Sequence, residues 1–320
     1  MKATFFLVCS ILAFSQAPDE AARLLRQVAE SASSTSSWQV EGRIENSKPS
    51  SESDTFTLSI KVPAETRFEQ TGTWGRSLIV CDGHFAWTYS SALDRYKKEP
   101  HPKNKLCSPI VGDWEKLPSI LRAPALVGEC GPTPSTQSAG FFFVRGLQTP
   151  ELASSGEITR TLCIDKERRQ VAWEKWENKY STRIFTYSKL DRDLEIAQNT
   201  FVFAAPAGST ETEHDLPIPR AMGERGMSSG VGITAPKLIS KKAPKYGKAS
   251  QVAKLEGTTA LYVVIGTDGI PSEILIYRKL SPDLDEEAIK SVRQWRFTAG
   301  NLKGEPIALP VIIEINFKLK

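Results

Sequence analysis

Histidine is scarce in this 320-residue chain, with three copies at His84, His101 and His214. None falls in an H-E-x-x-H or other paired-ligand spacing, so the common zinc-hydrolase signature is absent. There is no G-x-x-x-x-G-K-[ST] loop and no G-x-G-x-x-G, which removes the two usual phosphate cradles. No pair of carboxylates stands out for tuned acid–base work. Gly226-Met227-Ser228-Ser229-Gly230 matches G-x-S-x-G but lacks the strand before it and the helix after it that a nucleophile elbow requires. A hydrolase would need a site around Ser228 that the sequence does not otherwise show. No catalytic residue, cofactor or metal is therefore expected, and the chain reads as a non-enzyme. The net charge of +4 is too small to argue for a nucleic-acid partner.

Long hydrophobic runs are also missing. The longest, Phe5 to Phe14, is too short for a bilayer of ~30 Å, which takes about 20 apolar residues. With Lys2 before it and small residues around Ser15 and Ala17, it reads as a secretory signal over residues 1–17, cut after Ser15 or Ala17. The mature chain is then expected in the periplasm with no transmembrane span. If the run stayed uncleaved, it would act as an anchor. Removing Cys9 leaves Cys81, Cys107, Cys130 and Cys163, with no C-x-x-C among them. An even count in an exported chain fits disulfides, and four cysteines allow three connectivities. Cys107–Cys130 is the pairing expected, with four buried thiols as the alternative.

What is present is periodicity. APDEAARLLRQVAESA places Ala21, Leu25, Val28 and Ala32 on one helical face. From Trp38 the period changes to two, in WQVEGRI, DTFTLSIKV, SLIVCDGHFAWTYS and later FFFVRGL, ITRTLCID and QVAWEKWE, which reads as an antiparallel sheet. Asp82-Gly83 marks a hairpin. The polar, Gly/Pro-rich stretch 209–236 reads as a flexible linker between a domain at 19–208 and a second at 237–320. In the latter, two apolar strands flank Thr267-Asp268-Gly269. A helix follows, with Ser281 as N-cap, Pro282 at its first position and a stripe of Leu284, Ala288, Val292 and Trp295. ALPVIIEINFKLK closes the chain with Leu309, Val311, Ile313, Ile315, Phe317 and Leu319 on one face, Ile312 being the exception. Six lysines, at 237, 241, 242, 245, 248 and 254, form a basic run at the start of this second domain and read as a solvated face or a contact for anionic envelope polymers.

Several of these motifs carry resemblances. APKLISKKAPKY, LEGTTALYVVIGTDG, LDEEAIKSVRQWRF and GEPIALPVIIEINFKL, in that order, resemble the C-terminal domain of the TonB family. Gly247 and Thr298-Ala299 depart from the proline usual at those places. The resemblance implies a small β-β-α-β fold that takes up a segment of an outer-membrane TonB-dependent receptor as an extra strand. The implied edge is Val311, Ile312, Ile313, Glu314, Ile315, Asn316 and Phe317. LIVCDGHFAWTYSSALDRYKKEP and NTFVFAAPAGST are similar to LolA-like periplasmic lipoprotein carriers. This implies a curved antiparallel half-barrel with a helical lid, an α+β chain overall, and a concave face for a lipid or lipoprotein acyl chain. Phe56, Leu58, Phe68, Val80, Phe85, Trp87, Tyr89 and Trp173 are the residues expected to line it, together with Ile60, Leu78 and Trp176. Arg43 or Arg67 would lie near a headgroup. Two readings follow: a carrier that the second domain localises, or a transducing or interaction protein whose half-barrel is a scaffold or sensor.

Overall fold

The computed structural model describes residues 17–48, 52–102, 107, 111–148, 157–178, 181–217 and 233–319. The signal segment, all but its last residue, and the Ser228 motif lie outside these residues. So do 218–232 of the expected linker. No helix among the described residues is long and apolar enough to cross a membrane.

The chain begins with helix α1 (Ala17–Ser33), followed by strands β1 (Ser37–Lys48), β2 (Glu52–Lys61), β3 (Glu65–Gly72), β4 (Gly75–Asp82), β5 (Phe85–Ser90) and β6 (Arg95–Pro100). A 3-10 turn (Val111–Lys116) and short α2 (Leu117–Ile120) lead into β7 (Leu121–Glu129), β8 (Phe141–Gln148), β9 (Ile158–Asp165), β10 (Gln170–Glu177) and β11 (Thr182–Arg192). After β12 (Thr210–Glu211), β13 (Ile233–Thr234) and β14 (Leu238–Ser240) come α3 (Lys248–Val252), β15 (Gly257–Ile265), β16 (Pro271–Arg278) and α4 (Pro282–Val292). The last elements are β17 (Arg296–Phe297), β18 (Gly300–Leu302), β19 (Glu305–Ile307) and β20 (Leu309–Phe317).

These elements form two compact units, one of Met1–Phe68 and Asn104–Thr200, the other of Glu69–Lys103 and Phe201–Lys320. The division falls inside β3. In the first unit the hydrogen-bonded order is β3-β2-β1-β11-β10-β9-β8-β7, antiparallel throughout its recorded pairings. It is an open curved sheet with α1 over one face, held there by Ala21, Leu24, Leu25 and Val28, all essentially buried. The α+β class read from the sequence is the one observed.

The second unit differs from the expected partition at 208 and 237, because β4, β5 and β6 group with the C-terminal residues. Its strands run β12-β6-β5-β4-β3 in one sheet and β16-β15-β20 in another. The stretch from Ser209 is not a tether from its start. Thr210 and Glu211 pair in parallel with Arg95 and Tyr96, the Lys97 ammonium lies 2.5 Å from the Asp215 carboxylate, and Leu216 is buried. A polar composition suggested a linker, but two backbone pairings and one apolar anchor suffice to hold the stretch on the edge of β6.

Local signals explain the small elements well. Gly83 and Gly269 take positive φ (85° and 76°) in their turns, as the Asp-Gly pairs require. Ser281 caps α4 by accepting from the Leu284 N–H, with Pro282 behind it. Asp283 does more than favour the helix dipole. Its carboxylate accepts from the Ser250 N–H (2.9 Å) and hydroxyl (2.5 Å), tying α3 to the start of α4. A Cβ at Gly247 would stand 2.1 Å from the Asp283 Oδ2, which accounts for glycine there.

The Ser250 hydroxyl and N–H, with Ser281 and the Leu284 N–H, hold the Asp283 carboxyl down at about 2. An ordinary Asp titrates near ~3.9, so this group contributes stability above about pH 4 and loses it as the pH falls towards 2. Asp283→Asn is therefore expected to unfold at lower urea than the parent at neutral pH. The two curves should converge between pH 4 and 2; a gap that stays constant over that range would refute the assignment.

Candidate functional site

The second unit places β15 at the centre of its three-stranded sheet. Thr259 through Ile265 are all buried, so this strand needs cover on both faces. On one face Leu261, Val263 and Ile265 pack with Leu284, Ala288, Val292 and Trp295 of the α4 region and with Ile315 and Phe317 of β20. On the other, Ala260, Tyr262 and Val264 pack with Trp74, Leu93, Leu216 and Tyr277. Trp74 stacks on Tyr277 at 5.1 Å, and the Arg278 guanidinium sits 4.5 Å above the Trp74 ring. The exception in the β20 alternation is thereby explained: Ile312 faces this second core.

β20 pairs with β15 from Gly257↔Phe317 to Ile265↔Leu309 and stands last in the order β16-β15-β20. Its other backbone side has no strand neighbour among the described residues. Ile315 and Phe317 are buried, Val311 and Ile313 are half-buried on the same core, and Glu314 and Asn316 point outward. Glu314 lies 3.7 Å from Arg278, across the β15 strand. The expected edge Val311–Phe317 is thus a terminal strand fixed by its side chains, with backbone groups left over.

In the first unit the face opposite Arg43 and Thr186 carries Phe56, Leu58, Ile60 and Phe68, all 3% exposed or less. They belong to an aromatic core rather than to an open trough: Phe56 contacts Phe68 at 6.0 Å and Tyr187 at 6.2 Å between centroids. The 3-10 turn fills the space. Its Trp114, fully buried, packs edge-on against Trp38 (5.8 Å) and Tyr187 (5.3 Å). Its Asp113 grips Arg160 through two bonds of 2.8 and 3.0 Å. Arg160 also donates to Glu174 at 2.7 Å and lies 4.6 Å from the Trp176 ring, while Glu174 accepts from Trp176 (2.7 Å) and Tyr187 (2.5 Å). Burial works against the Arg160 charge, but the combined pull of Asp113 and Glu174 outweighs it and raises the guanidinium above its ordinary range. Burial pushes the Asp113 carboxyl up against the opposing pull of Arg160, and burial beside Glu174 raises the Tyr187 hydroxyl. Sequence reading missed Asp113, Trp114, Arg160 and Glu174. The only local hint was a charged residue on each of two strands at positions whose neighbours alternate as core.

The remaining expected ligand-binding residues are not gathered on that face. Trp173 pairs with Thr186, which pairs with Arg43, and so it belongs to the opposite face of the sheet. There it is buried with Cys130, Cys163 and Phe143, and its indole N–H donates to Gly131 O (3.0 Å). The expected Cys107–Cys130 bond is corrected at the same place: Cys130 bonds Cys163, with Cα atoms 6.1 Å apart. The reason is register, since β8 lies beside β9 with Phe143 opposite Cys163, and the turn after β7 brings Cys130 back over that strand. Cys81 and Cys107 are also disulfide-bonded, so none of the four is a free thiol. Val80, Phe85, Trp87 and Tyr89 lie in the second unit, where Phe203 stacks on Trp87 (5.9 Å, 15°) and covers Val80 and Tyr89. Phe85 is 37% exposed with the Lys98 ammonium 4.0 Å over its ring.

With this geometry established, comparison with known proteins places the C-terminal module. Residues 242–319 match the family described as Gram-negative bacterial TonB protein C-terminal. Protein TonB of Vibrio cholerae serotype O1 is 27% identical over 104 residues, covering 32% of this chain and 43% of that protein. The match thus spans less than half the length of that relative. Among solved structures, the TonB C-terminal domain of Pseudomonas aeruginosa is 22% identical, with a TM-score of 0.25, covering 29% of this chain and 95% of that one. Mycobacterium tuberculosis lipoprotein LppX is 9% identical, with a TM-score of 0.39, over 56% of this chain and 99% of that one. The C-terminal module is TonB-like in sequence, and the strand–strand–helix–strand order read from the sequence is the one it has.

The buried cation gives a sharp test of the first unit. Arg160→Leu strands two carboxylates and is expected to cost about 3–5 kcal/mol in urea unfolding, and adding Glu174→Leu should restore part of it. A single variant as stable as the parent would show that the network does not hold the 3-10 turn.

Proposed function

We propose that this is a non-enzymatic protein of a Gram-negative-type envelope, acting in the periplasm, whose C-terminal module docks an outer-membrane receptor by strand addition. The observation that carries this reading is β20: a terminal strand beside β15 whose apolar side chains pack on two cores and whose outer backbone edge has no strand neighbour among the described residues. An extended receptor segment would supply the missing N–H and C=O groups, and such pairing is tolerant of side-chain identity. In an antiparallel ladder neighbouring residues turn their backbone groups to opposite sides. Of two adjacent positions, one bonds β15 and the other faces the free edge. Ile313→Pro and Glu314→Pro should therefore behave differently: one destabilises the sheet, and the other leaves unfolding nearly unchanged while abolishing binding. Binding is measured by calorimetry with a synthetic peptide from the N-terminal segment of an outer-membrane receptor. If the stable variant still binds the peptide as the parent does, docking does not use β20.

A second reading gives the first unit an acyl-chain or lipoprotein ligand, so that the protein is a carrier localised by its docking module. One feature favours it. The Trp114 indole N–H is buried without an acceptor, in a ring cage that also holds Trp38 and Tyr187, a poor arrangement for a permanent core residue. The 3-10 turn would then stand in for the ligand and leave when one binds. Native mass spectrometry of the full chain and of Trp114→Leu, purified from a bacterial periplasm, is expected to show a stoichiometric acylated species, enriched in the variant. Two empty, folded proteins would leave the half-barrel as a scaffold.

A further inference from the structure

Between Pro236 and Leu255 the chain has six lysines and no Asp or Glu. The structure gives this run a definite place. It lies along α4, from β14, which pairs with β17 just past the helix C-terminus, to α3, which Asp283 fastens at the helix N-terminus. Near the C-terminal end the Lys242 carbonyl accepts from Ser291 and Trp295, and the Lys242 ammonium reaches Gln294 at 2.9 Å. Lys237, Lys241 and Lys242 are thus brought beside Arg293 and Arg296, all five exposed. Among the described residues none of the five forms an ion pair. The nearby helix carboxylates Glu286 and Glu287 are already taken by Lys290, at 2.7 and 3.0 Å.

Two aliphatic side chains stand out of this same cationic surface: Leu238 is 46% exposed and Ile239 67%. Among the described residues neither belongs to the apolar core that α4, β15 and β20 share. Soluble strands rarely spend adjacent branched residues on water amid lysines. The combination suits an interface at which the aliphatic groups enter a hydrocarbon layer while lysine stems lie flat and their ammonium groups meet anionic headgroups. A soluble polyanion would use the cations but offers nothing to Ile239, and no aromatic ring stands in this patch for bases to stack on.

We propose that Lys237–Lys242, with Arg293 and Arg296, form a site that seats the C-terminal module on an anionic lipid surface. The site is separate from the β20 edge, so it stands or falls independently of receptor docking.

The test is cosedimentation of the full chain with vesicles of phosphatidylcholine mixed with phosphatidylglycerol, against phosphatidylcholine alone. The quantity read is the ratio of the two partition coefficients, which cancels any contribution of the N-terminal apolar run. A ratio well above one in the parent is expected. Lys237→Gln with Lys241→Gln should lower it by about fivefold per lysine. Ile239→Ser should weaken binding to the anionic vesicles while leaving its salt dependence unchanged. All three substitutions are at exposed positions, and circular dichroism is the check that the fold is kept. A ratio near one in the parent overturns the proposal. So does an Ile239→Ser protein that binds as the parent does, because the surface is then a purely electrostatic face.

Discussion

β15 has no polar side. Seven consecutive buried residues in a strand oblige the protein to cover both faces of a three-stranded sheet, and the rest of the second unit follows from that demand. α4 and the Trp295–Phe297 stretch after it meet one face. Trp74, Leu93 and Leu216, contributed by turns and by the chain after β12, meet the other. Both flat surfaces of the sheet are then largely covered, and the sheet ends on two terminal strands, β16 and β20.

The first unit solves a different problem. One face of its sheet is occupied by the protein's own 3-10 turn. The turn brings one ring, Trp114, into an aromatic cage and one carboxylate, Asp113, to a buried guanidinium. An ion pair of this kind adds little net stability but is costly to break one partner at a time, so it specifies where the turn sits more than how firmly the domain folds. A scaffold and a closed carrier share this arrangement; they differ in whether anything displaces the turn.

Much of the architecture was legible in the sequence. The helix from Pro282 could be read from its cap, charge gradient and stripe, and β20 from its alternation, because these signals are contained within a dozen residues and depend on neighbours three or two positions away. The turn glycines were legible for the same reason: positive φ is a local demand. The β20 edge was reached through family resemblance; in the structure that strand, like β16, ends its three-stranded sheet.

Other features depended on which strands become neighbours, and no local pattern contains that. The face of β10 to which Trp173 belongs, and with it the Cys130–Cys163 bond, follows from the register of β8, β9 and β10. The buried partners of Arg160 come from a turn 47 residues away and a strand 14 residues away. The grouping of β4–β6 with the C-terminal sheet rests on Trp74 meeting Tyr277 across about two hundred positions of chain. The sequence by itself determined the elements, their caps and their turns, since those are set by backbone sterics and short-range periodicity. The tertiary structure alone decided which faces met, which cysteines joined and which strands ended each sheet, because those depend on the burial of side chains far apart in the chain.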